Sequence, residues 1–192
     1  MTTILGVAIA TYLGVLVLLF LFQRQLIFVP NRNTPSLREA GLDGLMTEIR
    51  LKTADGLDLL AWYRPPASES DPVLVFFHGN AGHIGHRAYR LPPFLESGFG
   101  ILLVEYRGYG GNPGRPSEQG FDADGRAALD YLADQGIAVG RLVLYGESLG
   151  SGVAARMASE RGCGALILEA PYTSLADVAQ DRYWMFPVRA LV

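Results

Sequence analysis

The stretch Gly-Glu-Ser-Leu-Gly at residues 146–150 decides the fold when it is read with the residues on either side of it. Residues 141–145, Arg-Leu-Val-Leu-Tyr, are a mostly apolar run of strand length, and residues 151–158 are mainly small residues and helix formers. The pattern predicts a strand, a sharp turn that carries Ser148, and a helix, which together form a nucleophile elbow. Small residues two before and two after the serine let the strand and helix backbones approach closely. An accidental match in a Gly-rich chain is the alternative, and the flanking strand and helix argue against it.

A parallel sheet is predicted around this turn. Strands buried on both faces are expected at four continuously apolar runs, residues 73–77, 101–104, 142–144 and 166–168. Helical segments are expected between them, at residues 87–96, 118–134 and 149–160. This alternation is typical of βαβ units in an α/β fold, whose ligands bind beyond the carboxyl ends of the strands. Residues 47–63, with a turn at residues 54–56, predict an N-terminal hairpin.

The N-terminal run of residues 4–22 carries no charge and is rich in Leu and Val. As a helix it would span roughly 28 Å, close to the hydrocarbon thickness of a bilayer. No positive side chain precedes it and no small-residue cleavage site follows it, which argues against a cleaved signal peptide. The lack of a polar face argues against a buried core helix. We therefore predict a single transmembrane helix.

The domain organisation follows from this helix: a membrane anchor over residues 1–23, a connector over residues 24–46, and an α/β domain over residues 47–192. Pro and Asn residues act as breakers in the connector. The basic residues near the anchor all follow it, which favours the cytoplasm for the C-terminal side; they are Arg24, Arg32 and Arg38.

Composition excludes several classes of function. The chain has 192 residues, a formal net charge of −3 and 18% charged residues, so it offers no basic surface for nucleic acid. Its single cysteine, Cys163, excludes an internal disulfide, and its apolar surroundings predict a buried structural thiol. Neither a dinucleotide-binding nor a P-loop glycine pattern is present, which argues against a nucleotide-binding protein.

Two loops are expected to border the site at the carboxyl ends of the strands. The first, His78-Gly79-Asn80-Ala81-Gly82, follows a buried strand, and its glycines let backbone amides approach a ligand. In acyl transfer such a loop would supply an oxyanion donor, here the amide of Asn80, beside the amide of Leu149. A plain glycine turn is the alternative. The second loop starts at Arg107, which together with Tyr109 is expected to brace the loop rather than contact substrate.

Four blocks in this order resemble the α/β-hydrolase superfamily: residues 78–82, 106–110, 146–150 and 169–175. More narrowly, the chain is similar to membrane-anchored serine hydrolases of the serine-aminopeptidase-like branch, which also open with a hydrophobic helix and a connector like residues 22–30. The resemblance covers most of residues 20–187 and implies a mostly parallel, doubly wound sheet.

The resemblance also implies site residues. It makes Ser148 the nucleophile and the amides of Asn80 and Leu149 the oxyanion donors, and four residues would support the elbow and the loop: Gly146, Gly150, His78 and Gly79. It implies no cofactor or metal, and a small-molecule or lipid-like acyl substrate.

The family order of catalytic residues is Ser, then Asp, then His. All three histidines of this chain precede Ser148: His78, His83 and His86. His78 is close enough in the predicted sheet to approach the serine, but family usage assigns it to loop bracing. Asp177 and Asp181 follow Ser148 in a helical or lid segment and are expected to be solvated. The resemblance thus implies that the C-terminal strands with the Asp and His are missing.

Two hypotheses follow. The first is a membrane-anchored serine hydrolase that cleaves an ester, thioester or amide through Ser148. The second is a catalytically incompetent, truncated hydrolase that serves as a membrane-tethered binding module or has no function.

Two structural expectations remain. A sheet that ends at residues 166–168 would expose an apolar edge. The helix at residues 118–134 is expected to expose its acidic side chains, which are Asp122, Asp124, Asp130 and Asp134.

Overall fold

The computed structural model describes residues 2–182 of the chain. Its strands are β1 (Val29–Pro30), β2 (Thr47–Lys52), β3 (Asp58–Arg64), β4 (Val73–Phe77), β5 (Ala81–Gly82), β6 (Gly100–Val104), β7 (Leu142–Glu147) and β8 (Ala165–Glu169). Its α-helices are α1 (Thr2–Ile27), α2 (Pro92–Glu96), α3 (Glu118–Asp134), α4 (Leu149–Arg161) and α5 (Leu175–Arg182), and two 3-10 helices span Ile84–Arg90 and Val139–Arg141. The C-terminal end of the predicted domain, residues 183–192, lies outside the described residues.

The chain divides into two compact units. The first contains α1 and α5, and the second, Pro30–Tyr172, contains the main sheet and its covering helices. In the first unit, Thr3–Ile27 has a mean hydropathy of 2.7 and is long and apolar enough to cross a membrane. The helix runs past the predicted anchor boundary to Ile27 because Gln, Arg and Leu favour helix and the first breaker is Pro30. It is a candidate membrane anchor.

The main sheet has six strands in the order β2-β3-β6-β4-β7-β8. β2, β3 and β6 are joined by antiparallel pairs, and β6, β4, β7 and β8 by parallel pairs. All residues of β4 and β6 are buried, as their continuous apolar runs predict. The register pairs Phe77 with Val104 on one side and with Gly146 on the other. The carboxyl ends of β4, β6 and β7 therefore meet at one edge, where the candidate site lies.

The edge strand β8 corrects one prediction. Residues 166–168 were expected to be buried on both faces, but their three apolar side chains are each about 40% exposed; they are Leu166, Ile167 and Leu168. Among the described residues β8 pairs only with β7, so its other edge is unpaired. An apolar edge was itself expected at this strand, and the structure has one.

Part of the predicted connector packs against the sheet. Leu42 and Met46 are buried in the same cluster as Trp62 and Phe76 of the sheet. The helix expected over residues 87–96 is also divided, into a 3-10 helix and α2, because Pro92 and the proline after it have no backbone N–H to continue a helix.

Candidate active site

Ser148 lies in a strained turn between β7 and α4. Its φ is 48° and its ψ is −113°, a conformation that side-chain-bearing residues rarely adopt and that costs about 1–3 kcal/mol. The side chain is exposed, and no residue between 2 and 182 hydrogen bonds to its hydroxyl. The strand, turn and helix expected at this position are all present. The turn presents the hydroxyl at the carboxyl edge of the sheet.

Two glycines make this turn possible. A Cβ on Gly150 would lie 2.0 Å from the carbonyl oxygen of Phe77, and a Cβ on Gly146 would lie 2.5 Å from the carbonyl oxygen of Gly150. Both contacts are with backbone, which has little freedom to move away. These positions therefore require glycine because α4 crosses directly over the ends of β4 and β7.

Leu149 is the first residue of α4, so its N–H has no acceptor within the helix. The N–H and hydroxyl of Ser151 both donate to the carbonyl oxygen of Ser148, at 2.8 and 2.6 Å, and tighten the first turn. The Tyr172 hydroxyl packs on Gly152 and donates to the Leu149 carbonyl oxygen at 3.4 Å. Burial, with smaller contributions from two nearby carboxylates, raises the pKa of Tyr172 to about 12, which keeps this hydroxyl protonated.

The loop between β4 and β5 carries Asn80, which is half-buried. Its side-chain oxygen accepts a 2.8 Å hydrogen bond from the hydroxyl of the buried Tyr109. On one side of Asn80, the Gly79 N–H donates to Glu147 Oε2 at 3.3 Å; on the other, the Ala81 carbonyl oxygen accepts from Arg87 Nη1 at 2.7 Å. The loop is thus held at Asn80 and at both neighbouring residues.

Arg87 and Glu147 form a two-contact ion pair beneath this loop. Arg87 Nε lies 2.9 Å from Glu147 Oε2 and Nη2 lies 3.3 Å from Oε1, and both side chains are at least 80% buried. Burial raises the pKa of Glu147, but Arg87, the Gly79 amide and Arg90 together outweigh it, so the pKa lies below its ordinary value. This pair was not predicted from the sequence, since 60 residues separate its members.

Arg90 extends the polar network to β8. Its guanidinium contacts both carboxylate oxygens of Glu169 and the hydroxyl of Tyr145. Hydrogen bonds from Arg90 and Tyr145 lower the pKa of Glu169. The segment after the Asn80 loop is therefore joined to both β7 and β8.

His78 is fully buried, and both of its ring nitrogens have oxygen partners. Nδ1 lies 2.7 Å from the Gly79 carbonyl oxygen and Nε2 lies 2.9 Å from Glu105 Oε1. Glu105 also accepts the Ile84 N–H at 2.9 Å. This geometry ties the end of β4 to the residue after β6, and it leaves no ring nitrogen of His78 directed at Ser148.

The other two histidines stack on each other, with ring centroids 3.9 Å apart. Burial and the neighbouring His86 ring lower the pKa of His83. Neither ring hydrogen bonds to Ser148.

Among residues 2–182, no group of three or more His, Cys, Asp or Glu side chains could hold a metal ion. Asp177 lies in the first turn of α5 and accepts from the Thr173 hydroxyl, and the side chain of Asp181 lies outside the described part.

Arg107 braces its loop, as expected. It donates through its backbone N–H and Nε to Asp124, at 2.9 and 2.8 Å, and through its two terminal nitrogens to Asp55. Asp124 is fully buried, so its assignment to the solvated face of α3 was wrong. Burial raises its pKa to about 6, against the opposing effect of Arg107. The signal was in the sequence, since Asp124 falls in the helical stripe of Phe121, Ala128 and Leu132.

Cys163 also departs from expectation. The residue is half-buried rather than buried, and it lies two residues before the exposed edge strand β8. The described residues contain no second cysteine.

The chain is similar to known proteins in both sequence and fold. A family model described as alpha/beta hydrolase fold matches residues 72–190. An uncharacterized protein of Mycobacterium tuberculosis is 40% identical over 185 residues, covering 93% of this chain and 64% of the relative. Protein bem46 of Schizosaccharomyces pombe is 32% identical over 89% of this chain and 60% of its own length. Lysophosphatidylserine lipase ABHD12 of Danio rerio is 33% identical, over 77% of this chain and 39% of its own length.

Solved structures agree on the fold. An esterase of Pyrococcus furiosus superposes with a TM-score of 0.65 at 18% identity, over 85% of this chain and 64% of the esterase. An alpha-beta hydrolase of Vibrio vulnificus superposes with a TM-score of 0.62 at 28% identity, over 74% of this chain and 51% of that protein. The chain thus spans less than two thirds of the length of these relatives.

Proposed function

Because the chain belongs to the α/β-hydrolase family, we propose that it is a serine hydrolase of esterase or lipase type that acts on an ester, thioester or amide through Ser148. The observation that carries the proposal is the backbone of Ser148, with φ of 48° and ψ of −113° between a buried strand and a helix N-terminus. A turn of this kind exposes a hydroxyl where an acyl group and helix-terminal amides meet. Structural strain of about 1–3 kcal/mol is retained at functional sites when the surroundings enforce it.

In the proposed mechanism, Ser148 Oγ forms a bond to the carbonyl carbon of the substrate while a base accepts the hydroxyl proton. The amides of Asn80 and Leu149 stabilise the negative charge that develops on the carbonyl oxygen. The bond to the leaving group then breaks, the leaving group takes the proton, and an acyl-enzyme remains for water to hydrolyse. Loss of one such donor typically lowers kcat by about 10²–10³.

The mechanism needs a base that residues 2–182 do not place at Ser148. His78 is the histidine at the end of the neighbouring strand β4, and both of its ring nitrogens are engaged, with Gly79 and Glu105. We therefore propose that the base and its carboxylate are contributed from outside the described residues. The alternative function is a catalytically incompetent membrane-tethered binding module. It rests on the same lack of a base at Ser148 among residues 2–182, and it predicts that Ser148 does not react with an acylating or phosphonylating reagent.

We further propose a lipid-like acyl substrate reached at a membrane. One relative is named a lysophosphatidylserine lipase, and Thr3–Ile27 is apolar and long enough to span a bilayer. Arg24 in the last turn of this helix, together with Arg32 and Arg38 beyond it, favours the cytoplasmic face for the domain that carries Ser148. Treatment of intact and permeabilised cells with protease tests this orientation, since a cytoplasmic unit is cleaved only after permeabilisation.

Labelling with a fluorophosphonate separates the enzyme from the binding module. The full chain in detergent micelles is incubated with the reagent, weighed by intact mass spectrometry and digested to locate the adduct. When the base proposed above reaches Ser148, we expect one adduct, on Ser148, and none in the Ser148→Ala variant. A folded wild-type chain, verified by its circular dichroism and cooperative melting, that takes up no label would contradict the hydrolase function for this chain and support the binding module.

A further inference from the structure

We propose that the Arg87–Glu147 ion pair positions the Asn80 amide for oxyanion binding, so that these two residues act on catalysis without touching the substrate. The inference rests on the proposed function, because it concerns the same site. It adds two positioning residues that form no part of the nucleophile–oxyanion set.

Glu147 contacts the loop on the N-terminal side of Asn80. Its Oε2 accepts the Gly79 N–H at 3.3 Å, and a Cβ on Gly79 would lie 3.4 Å from its carboxyl carbon. The backbone of Gly79 therefore lies directly against the carboxylate. Because the Gly79 peptide is only one residue from the Asn80 N–H, a shift of this carboxylate moves the proposed donor.

Arg87 contacts the loop on the C-terminal side of Asn80. Its Nη1 donates to the Ala81 carbonyl oxygen at 2.7 Å, and a Cβ on Gly82 would lie 2.7 Å from the same nitrogen. Gly82 has a φ of +85°, a conformation that favours glycine. The ion pair therefore contacts the loop on both sides of Asn80, through Glu147 at Gly79 and through Arg87 at Ala81.

The pair also connects the two proposed oxyanion donors. Asn80 follows β4 and Leu149 begins α4, so their amides belong to different segments of the chain. Glu147 is covalently next to Ser148 and two residues before Leu149, and it is joined through Arg87 to the Asn80 loop. Errors of about 1 Å in such a constellation can lower rates about 10²-fold. The ion pair therefore sets the separation between the donors.

A second ion pair in the same unit offers a matched control. Arg126 and Glu160 join α3 to α4 through two contacts of 2.7 Å, which is similar chemistry between two elements. This pair is more exposed, and its partners are side chains of α3 and α4 rather than the backbone of residues 79–82. If the Arg87–Glu147 pair only held two elements together, removing either pair would change kcat by a similar amount.

The experiment compares Arg87→Met, Arg87→Lys and Glu147→Gln with Arg126→Met in the full chain. Hydrolysis of p-nitrophenyl butyrate is measured per active site, with active sites counted by fluorophosphonate adduct. We expect Arg87→Met to lower kcat about tenfold to a hundredfold with KM unchanged, because the donor matters most in the transition state. Lys retains the charge but not the two-contact geometry, so Arg87→Lys should recover only part of the rate. Arg126→Met should leave kcat unchanged.

Hydrogen exchange provides a readout that does not depend on activity. Amides of residues 79–82 should exchange faster in Arg87→Met and Glu147→Gln than in wild type, and at the wild-type rate in Arg126→Met. Unchanged kcat per active site together with unchanged exchange would overturn the inference, and so would equal loss of kcat in Arg126→Met. If the wild type takes up no label, the proposed function fails, whereas exchange in the loop still decides whether the pair positions Asn80.

Discussion

The backbone N–H of Ser148 donates to the carbonyl oxygen of Glu169 at 2.8 Å. β7 and β8 pair in parallel up to Glu147 opposite Glu169, so this bond continues the ladder one residue past the end of β7. The strained conformation of Ser148 is thus held by the neighbouring strand through the backbone. The side chain of Ser148 contributes no hydrogen bond to it within the described part of the chain.

This relationship predicts that Ser148→Gly is more stable than Ser148→Ala. Both variants lose the hydroxyl, but only glycine adopts φ of 48° with ψ of −113° without steric strain. Relief of about 1–3 kcal/mol exceeds the roughly 0.5–1 kcal/mol of chain entropy that glycine loses on folding. Chemical denaturation should place Ser148→Gly above Ser148→Ala by about 1 kcal/mol or more. Equal stability would show that the turn stores no strain.

The crossing of α4 over β4 predicts a strong effect of Gly150→Ala. Alanine favours a helix over glycine by about 1 kcal/mol, but its Cβ would lie 2.0 Å from the Phe77 carbonyl oxygen. Overpacking against backbone costs about 1–3 kcal/mol or more, so the steric effect dominates. We expect a net loss of unfolding free energy and displacement of the elbow, measured by thermal melting and by the rate of fluorophosphonate labelling.

Gly140→Ala is the matched control for this substitution. No atom lies within 4 Å of a Cβ at Gly140, and its φ is not positive. Its stability should change by less than about 0.5 kcal/mol, as is usual at an open surface position. A comparable loss in both variants would contradict the explanation by close approach.

The buried carboxylate of Asp124 predicts a large effect of Arg107→Met. This change removes the guanidinium from a side chain that has no solvent exposure, and breaking a buried pair from one side costs about 3–5 kcal/mol. The double variant Arg107→Met/Asp124→Leu should recover most of that loss, because an apolar pair needs no charge compensation. A double-mutant cycle by urea denaturation measures the coupling. If the losses of unfolding free energy in the two single variants simply add in the double variant, Arg107 and Asp124 are not coupled and the prediction is wrong.

The sequence was sufficient for the central strands and the elbow, because both are encoded locally. Runs such as residues 73–77 have no polar face, and the glycines at 146 and 150 leave few alternatives to a sharp turn. Arg87 and Glu147 could not be paired in this way, since each resembles a solvated charge until the parallel pairing of β4 with β7 brings their segments together. The helical stripe indicates the burial of Asp124, but its ion-pair partner Arg107 lies 17 residues away and was not apparent. Side-chain contacts across elements therefore required the structure.

Acid should weaken the contribution of Glu147 to stability. The pKa of its carboxyl lies below its ordinary value of 4.5 in the folded chain, where burial is outweighed by Arg87, the Gly79 amide and Arg90. A carboxyl whose pKa is lowered by folding stabilises the native state above its unfolded pKa, and this contribution is lost as the pH falls through the folded pKa. The difference in unfolding free energy between wild type and Glu147→Gln should therefore be largest near neutral pH and shrink below pH 4.5.

The source of this dependence can be assigned by repeating the comparison without Arg87. The Arg87→Met chain and the Arg87→Met/Glu147→Gln chain differ only at Glu147, in a site from which the main opposing cation has been removed. Because Arg87 supplies the largest of the interactions that lower the Glu147 pKa, whereas burial still raises it, the acid dependence should become flatter. Urea denaturation at pH 7, 5, 4 and 3 measures all four chains. An acid dependence as steep as in wild type would show that Arg87 is not the main partner of Glu147.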